Sequence, residues 1–245
     1  MKSVLIIGHS HIGGIMRAHA ERGGRVEGLG IEFAPISADY YQPNLDGQLA
    51  LHPEIVRIIG APRFDLIVSC VAGNAHYSLG LVNNPRKYDF VLPLAPDLPL
   101  EDGAEILPYG LIRKHLLEMA QETIPALPAI HAAAGAPLVQ IESPPPVPPE
   151  NVMRHPKHFA PLIKQYGLSR RERIWRFWRL QALIIQDICS ERAIPYLPAP
   201  AAMTDDDGFL ARPAWTDDPT HAGPAYGHAV LDQLSAWCAA REPAR

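Results

Sequence analysis

The chain is poor in cysteine, with three in 245 residues. Cys70, Cys189 and Cys238 lie far apart in apolar stretches, and their number is odd. No disulfide framework or zinc ribbon follows, and each reads as a small buried side chain. Long hydrophobic runs are also missing. Val4-Leu5-Ile6-Ile7 follows a single lysine and breaks off at Gly8-His9-Ser10-His11. That is too short for a signal-peptide core, and no window reaches the ~20 apolar residues of a membrane span. The expectation is a cytoplasmic protein. Nor is there a basic excess: 22 Lys+Arg against 26 Asp+Glu leaves a net charge of −4. A broad nucleic-acid binder would need the opposite balance. A hydrophobic content of 47% excludes disorder. Proline, by contrast, is abundant, 26 residues, roughly twice the usual ~5%. Long, stiff connections are expected.

Short apolar runs alternate with helical patterns. Strands are expected at residues 3–7, 29–36, 65–70, 137–141 and 194–197. Helices are expected at 12–21, 52–59, 111–134 (bent at Pro125 and Pro128), 170–191 and 224–240. In the longest, Trp175, Trp178, Ala182, Ile185 and Ile188 recur at helical spacing and read as core rather than as a platform for a sugar. This alternation implies an α/β fold, a parallel sheet covered on both faces. One domain over 1–245 is expected, with insertions at about 75–110 and 142–169. The second insertion opens on Pro144-Pro145-Pro146-Val147-Pro148-Pro149, which should be extended and stiff.

In such a sheet, ligands bind beyond the carboxyl ends of the strands. Gly8-His9-Ser10-His11 follows strand one, Ala72-Gly73-Asn74-Ala75-His76 follows strand three, and Asp217-Asp218-Pro219-Thr220-His221 lies past strand five. A serine, an asparagine and an Asp/His pair thus share one rim. The chemistry of that set is acyl transfer. A serine hydroxyl needs a base to take its proton. His221 is the candidate base, and Asp218, favoured by spacing over Asp217, its orienting partner. Ser10 N–H, the Asn74 amide and an N–H from the loop after strand two are candidate oxyanion donors. His9, His11 and His76 are candidate pocket residues.

Gly8-His9-Ser10, Ala72-Gly73-Asn74, Asp218-Pro219-Thr220-His221 and the following Tyr226-Gly227 resemble, in order and spacing over nearly the whole chain, the blocks of SGNH (GDSL-type) hydrolases. The resemblance implies a flavodoxin-like, three-layer fold with a five-stranded sheet. It implies a serine esterase, lipase or carbohydrate-ester deacetylase with no metal or cofactor, acting on a small-molecule or carbohydrate ester. Ser10 would be the nucleophile, His221 the base, Asp218 its partner and Asn74 an oxyanion donor. Here His9 replaces the usual Asp, His11 the Leu, and Ala72 the Gly two before the Asn. The family's second glycine has Gly47 as its candidate, which also reads as a plain Asp-Gly turn.

Three other readings compete. A degenerate fold of this kind would only bind its ligand. His9 and His11, with His76, His155, His158 and Asp218, are a possible zinc or manganese set, although such enzymes use an eight-stranded barrel. Gly8 and Gly14 with Glu32 make an incomplete dinucleotide fingerprint. Finally, Arg154, Lys157, Lys164, Arg170, Arg171, Arg173, Arg176 and Arg179 crowd one stretch. Arg173, Arg176 and Arg179 read as a solvated helix face. The sharper expectation is that the stretch draws an anionic substrate.

Overall fold

The structure, a computed structural model, describes residues 1–241. Strand β1 (Lys2–Gly8) pairs in parallel with β2 (Leu29–Pro35) on one side and β3 (Leu66–Cys70) on the other. Beyond β3 come two-residue strands β4 (Tyr88–Asp89) and β5 (Glu105–Ile106), which pair only with each other. The main sheet continues through β6 (Leu138–Ile141) to β7 (Tyr196–Leu197). Its order is β2-β1-β3-β6-β7, five strands, all parallel. The order reverses between β1 and β3, and a crevice opens there beyond the carboxyl ends.

Alternate residues of each strand face opposite layers. Leu5, Ile7 and Ile67 pack under α2 (Pro53–Ile59), α4 (Tyr109–Met119), α5 (Ala126–Ala133) and α8 (Arg171–Glu191). Val4, Ile6, Val68 and Val139 pack under α1 (Ile12–Glu21) and α9 (Pro224–Ala239). This is the three-layer α/β arrangement expected, and it excludes the eight-stranded barrel of the metal reading.

The long connections hold more structure than their composition indicates. The first carries α3 (Ala75–Gly80) and the β4–β5 pair, and the second α6 (Pro149–Arg154) and α7 (Ala160–Tyr166). Six or seven residues are too few to show a period. The helix expected over 111–134 is two, α4 and α5, with Pro125 at the N-cap of the second. The strand expected over 194–197 is confined to two residues. The proline run is extended, as expected, but it is also interior. Glu142 through Pro148 are buried, Val147 N–H donates to Tyr77 Oη at 2.7 Å, and Leu210 N–H donates to the Pro146 carbonyl at 2.9 Å.

Two of the three arginines expected on a solvated face of α8 are buried, and the third is paired. Arg176 bonds Asp89 at 2.6 Å, both side chains 1% exposed, and also the carbonyls of Leu98 and Pro99. Arg173 donates to the Tyr88 and Leu79 carbonyls. Arg179 pairs with Glu142 at 3.0 Å. The first insertion lies across this face of α8, and the guanidinium groups satisfy carbonyls at the end of α3, in β4 and in the loop between β4 and β5. Trp178 is buried, as its spacing predicts. Among the described residues no helix is long and apolar enough to cross a membrane.

Breaking a buried ion pair from one side strands the other charge. Asp89→Ala should lower stability by about 3–5 kcal/mol, read from the urea midpoint. Asp89→Leu combined with Arg176→Met should recover only the part due to the stranded charge, because the Leu98 and Pro99 carbonyls and the Glu101 N–H lose their partners.

Candidate functional site

After β1 the chain turns directly into α1, with Ile12 N–H donating to the His9 carbonyl and Gly13 N–H to that of Ser10. Ser10 is left exposed at the mouth of the helix. Helix α1 crosses α9 at Gly14 and Gly227. A methyl group on Gly227 would strike the Gly14 backbone, and one on Gly14 would come within 2.8 Å of the Ala222 carbonyl oxygen. This close approach carries the loop ahead of α9 over the start of α1.

Ser10, His221 and Asp218 consequently form one line. His221 Nε2 is 2.8 Å from Ser10 Oγ, and His221 Nδ1 is 2.9 Å from Asp218 Oδ1. That carboxylate oxygen also accepts from the backbone N–H groups of Thr220 and His221 and from the Thr220 hydroxyl. Its Oδ2 accepts from Lys157 Nζ at 3.1 Å. Burial alone would raise the Asp218 pKa. The donors from His221 and Thr220, with the Lys157 ammonium, outweigh it and hold the carboxyl well below the usual range. Asp217 turns away: its side chain is 91% exposed and lies 3.5 Å from His155 Nε2. A cleft of about 430 Å³ opens over Ser10 and His221. Gly13 and Gly14 form part of its wall, and Arg17, Lys157, Thr216 and Asp217 complete it with polar side chains.

Behind the line stands a second polar set. His11 packs against His221, ring centroids 5.3 Å apart, and its other neighbours are Gly73 and Asn74. Burial first, then the His221 and His76 imidazoles, lower the His11 pKa to about 3. Burial lowers His76 to about 4. Asn74 stands at the N-cap position of α3 without a side-chain capping bond, its Oδ1 buried and the residue half-exposed. The structure thus gathers Ser10, Asp218, His221, Asn74, His11 and His76 beyond β1 and β3.

His9 points elsewhere. It is buried with Nε2 2.9 Å from Asn44 Nδ2, and burial lowers its pKa to about 4. Gly47 occupies an exposed turn held by Asp46 Oδ1, which accepts from Gln48 and Ala50 N–H. It is not among the residues lining the cleft. His9 and His11 diverge, and among the described residues no three His, Cys, Asp or Glu side chains gather as metal ligands. Glu32 of the dinucleotide reading pairs with Arg63 at 2.6 Å on the surface.

Two residues that the motifs do not mark hold the site. Asn44 fixes His9, hidden in the sequence beside the Asp-Gly turn signal. Gln181 of α8 is fully buried. Its Nε2 donates to the carbonyls of Ala72 (3.2 Å) and Gly73 (3.0 Å), and its Oε1 accepts from His76 N–H (3.1 Å). Gly73 has φ +71° and no room for a side chain against Thr123. Together they clamp the loop that presents Asn74. The signal in the sequence was an amide inside the apolar stripe of α8.

No protein-family model matches the sequence, and no curated protein matches it. Among solved structures, a GDSL-like lipase from Bacteroides thetaiotaomicron is 13% identical, with 97% of this chain and 87% of that one covered at a TM-score of 0.43. A carbohydrate acetylesterase from Sinorhizobium meliloti is 11% identical, over 98% and 99% of the two chains, at 0.46. An inhibitor-bound aryl esterase from M. smegmatis is 12% identical, over 98% and 99%, at 0.45. At this identity none of them transfers a residue role to this chain.

Two outcomes are expected. Gln181→Leu unpairs two carbonyls and an N–H in the interior. It should cost about 2–4 kcal/mol in urea unfolding and slow any reaction at Ser10. The second concerns pH. The folded protein keeps His9 and His76 neutral down to about pH 4 and His11 to about 3, whereas the unfolded chain takes up protons below about 6.5. Stability is therefore full above pH 6.5 and lost as pH falls. Each ring should cost about 2 kcal/mol by pH 5. The urea midpoint should drop accordingly and drop less in His76→Gln, whereas a flat profile would show that the rings protonate within the fold.

Proposed function

We propose that the chain is a serine hydrolase of the SGNH type that cleaves or transfers short acyl groups ester-linked to a polar alcohol. The observation that carries this reading is the hydrogen-bonded line from Ser10 Oγ through His221 to Asp218. His221 Nε2 takes the Ser10 proton as Oγ attacks the ester carbonyl. Asp218 accepts from Nδ1–H, fixes the tautomer and stabilises the imidazolium. The oxyanion forms at the N-terminus of α1, where Ser10 N–H and the helix dipole favour negative charge, with the Asn74 amide as second donor. His221 returns the proton to the leaving alcohol. Water, or an acceptor alcohol, then releases the acyl group from Ser10 by the same steps. Each step uses side chains and backbone groups of this chain.

The cleft wall supports a short acyl group. It holds glycines and polar side chains but no aliphatic one, so a long chain would find little surface for the ~0.8 kcal/mol that each buried methylene contributes. Charged and hydroxyl groups on the wall suit a polar leaving group such as a carbohydrate.

A fluorophosphonate probe should label Ser10, located by mass spectrometry, and Ser10→Ala should abolish the label. His221→Ala should lower kcat about 10³-fold or more. Turnover should fall on the acid side, where an imidazole is charged and accepts no proton. p-Nitrophenyl acetate should exceed the palmitate ester in kcat/KM by about 100-fold. Folded wild-type protein that fails to label would overturn the reading in favour of a ligand-binding protein.

A further inference from the structure

We propose that Lys157, carried by the second insertion, is a positioning residue for His221 that acts through Asp218. As far as turnover is concerned, the inference rests on the hydrolase reading above.

The two oxygens of Asp218 have different partners. Oδ1 is crowded by donors from its own loop, Thr220 and His221. Among the described residues, Oδ2 has one partner, Lys157 Nζ at 3.1 Å. The ammonium therefore adds an anchor on the opposite side of the carboxylate against rotation about its Cβ–Cγ bond, and so bears on the direction from which Oδ1 meets the imidazole. It also sets a positive charge on the far side of the carboxylate, which offsets part of the attraction between Asp218 and a protonated His221.

The insertion is built to hold that ammonium in place. Lys157 has φ +45°, in the left-handed region that residues with a side chain seldom occupy. It follows Pro156 and opens a single 3₁₀ turn over Lys157–Phe159. On the N-terminal side, Asn151 Nδ2 of α6 donates to the Thr216 carbonyl at 2.9 Å, and Glu150 pairs with Arg171 of α8 at 3.1 Å. The segment is thus tied both to the loop that bears Asp218 and His221 and to the body of the protein. Strain of this kind persists where surrounding contacts over-determine it.

The other charged or titratable groups around His221 and Asp218 have places of their own, and Tyr77 of α3, which feels the Asp218 charge, is buried with its hydroxyl accepting from Val147 N–H. His11 faces it from the start of α1, with His76 of α3 behind. Arg17 of α1 and Asp217 line the cleft, and Asp217 has His155 against it. None of these bonds Asp218 Oδ2.

Lys157→Met and Lys157→Arg test the proposal. Lys157 is half-exposed, so both variants should fold. In the Met variant kcat should fall several-fold with little change in KM, and the acid limb of kcat/KM should move to higher pH by about half a unit. The arginine variant should return both toward wild type. High salt should bring the wild-type limb toward that of the Met variant. The His221 imidazole signals, followed by NMR against pH, should move in the same direction, and this readout needs no activity. Failure of Ser10 to label would overturn the hydrolase reading and leave the NMR comparison to decide Lys157. A Met variant whose acid limb and imidazole titration superimpose on wild type would overturn the proposal. A raised KM with an unmoved limb would make Lys157 a substrate contact and overturn it as well.

Discussion

Gly14 and Gly227 meet with no side chain between them, and the candidate site depends on that meeting. Ser10 is fixed by the end of β1, an interior strand of the sheet. His221 and Asp218 belong to a loop more than two hundred residues later, and that loop takes its position from α9, into which it runs. A methyl group at either glycine would lift α9 and its preceding loop away from α1. A hydrogen bond of 2.8 Å between His221 Nε2 and Ser10 Oγ does not survive such a displacement, since it weakens steeply with distance and angle. The helix crossing thus holds the line from Ser10 through His221 to Asp218, although neither glycine belongs to it.

Behind Ser10 the fold places two buried imidazoles. His11 and His76 are buried and stay neutral well below pH 7. The neutral His11 ring adjoins His221, and the carboxylate bonded to His221 is that of Asp218. Gln181 supplies the rigidity, since its single amide satisfies three backbone groups of the Asn74 loop.

The parts that were legible in the sequence are those with a period or a motif. β1 and β3 are apolar runs between glycines and turns, α8 carries a stripe of tryptophan and isoleucine, the Ser10 and Asn74 blocks fall at strand ends where an open sheet puts its ligands, and the Asp218/His221 block lies just ahead of the last helix. Illegible were contacts between segments distant in sequence that each lack a period. Nothing near Arg173 or Arg176 announces that residues 79–99 will cover them, so both read as exposed. Asn44 looks like an ordinary surface amide until the fold buries it, and Gln181 stands out only as an amide inside the apolar stripe of α8. The two-residue strands and six-residue helices of the insertions are too short for any periodic signal.

The proline run after β6 has a consequence for how this protein can vary. Residues 142–148 are a connection by chain position but belong to the interior, with Tyr77 and Leu210 bonded to their backbone. Adding or removing a residue there would shift every partner by one position and disturb Glu142, on which Arg179 and Ala199 N–H converge. The turn at Asp46–Ala50 is different: it is exposed and closed by its own side chain. Changes of length are tolerated where backbone is solvated and self-contained. Two segments that are both connections by chain position therefore differ in kind. One accepts new sequence, and the other is as fixed in length as a strand.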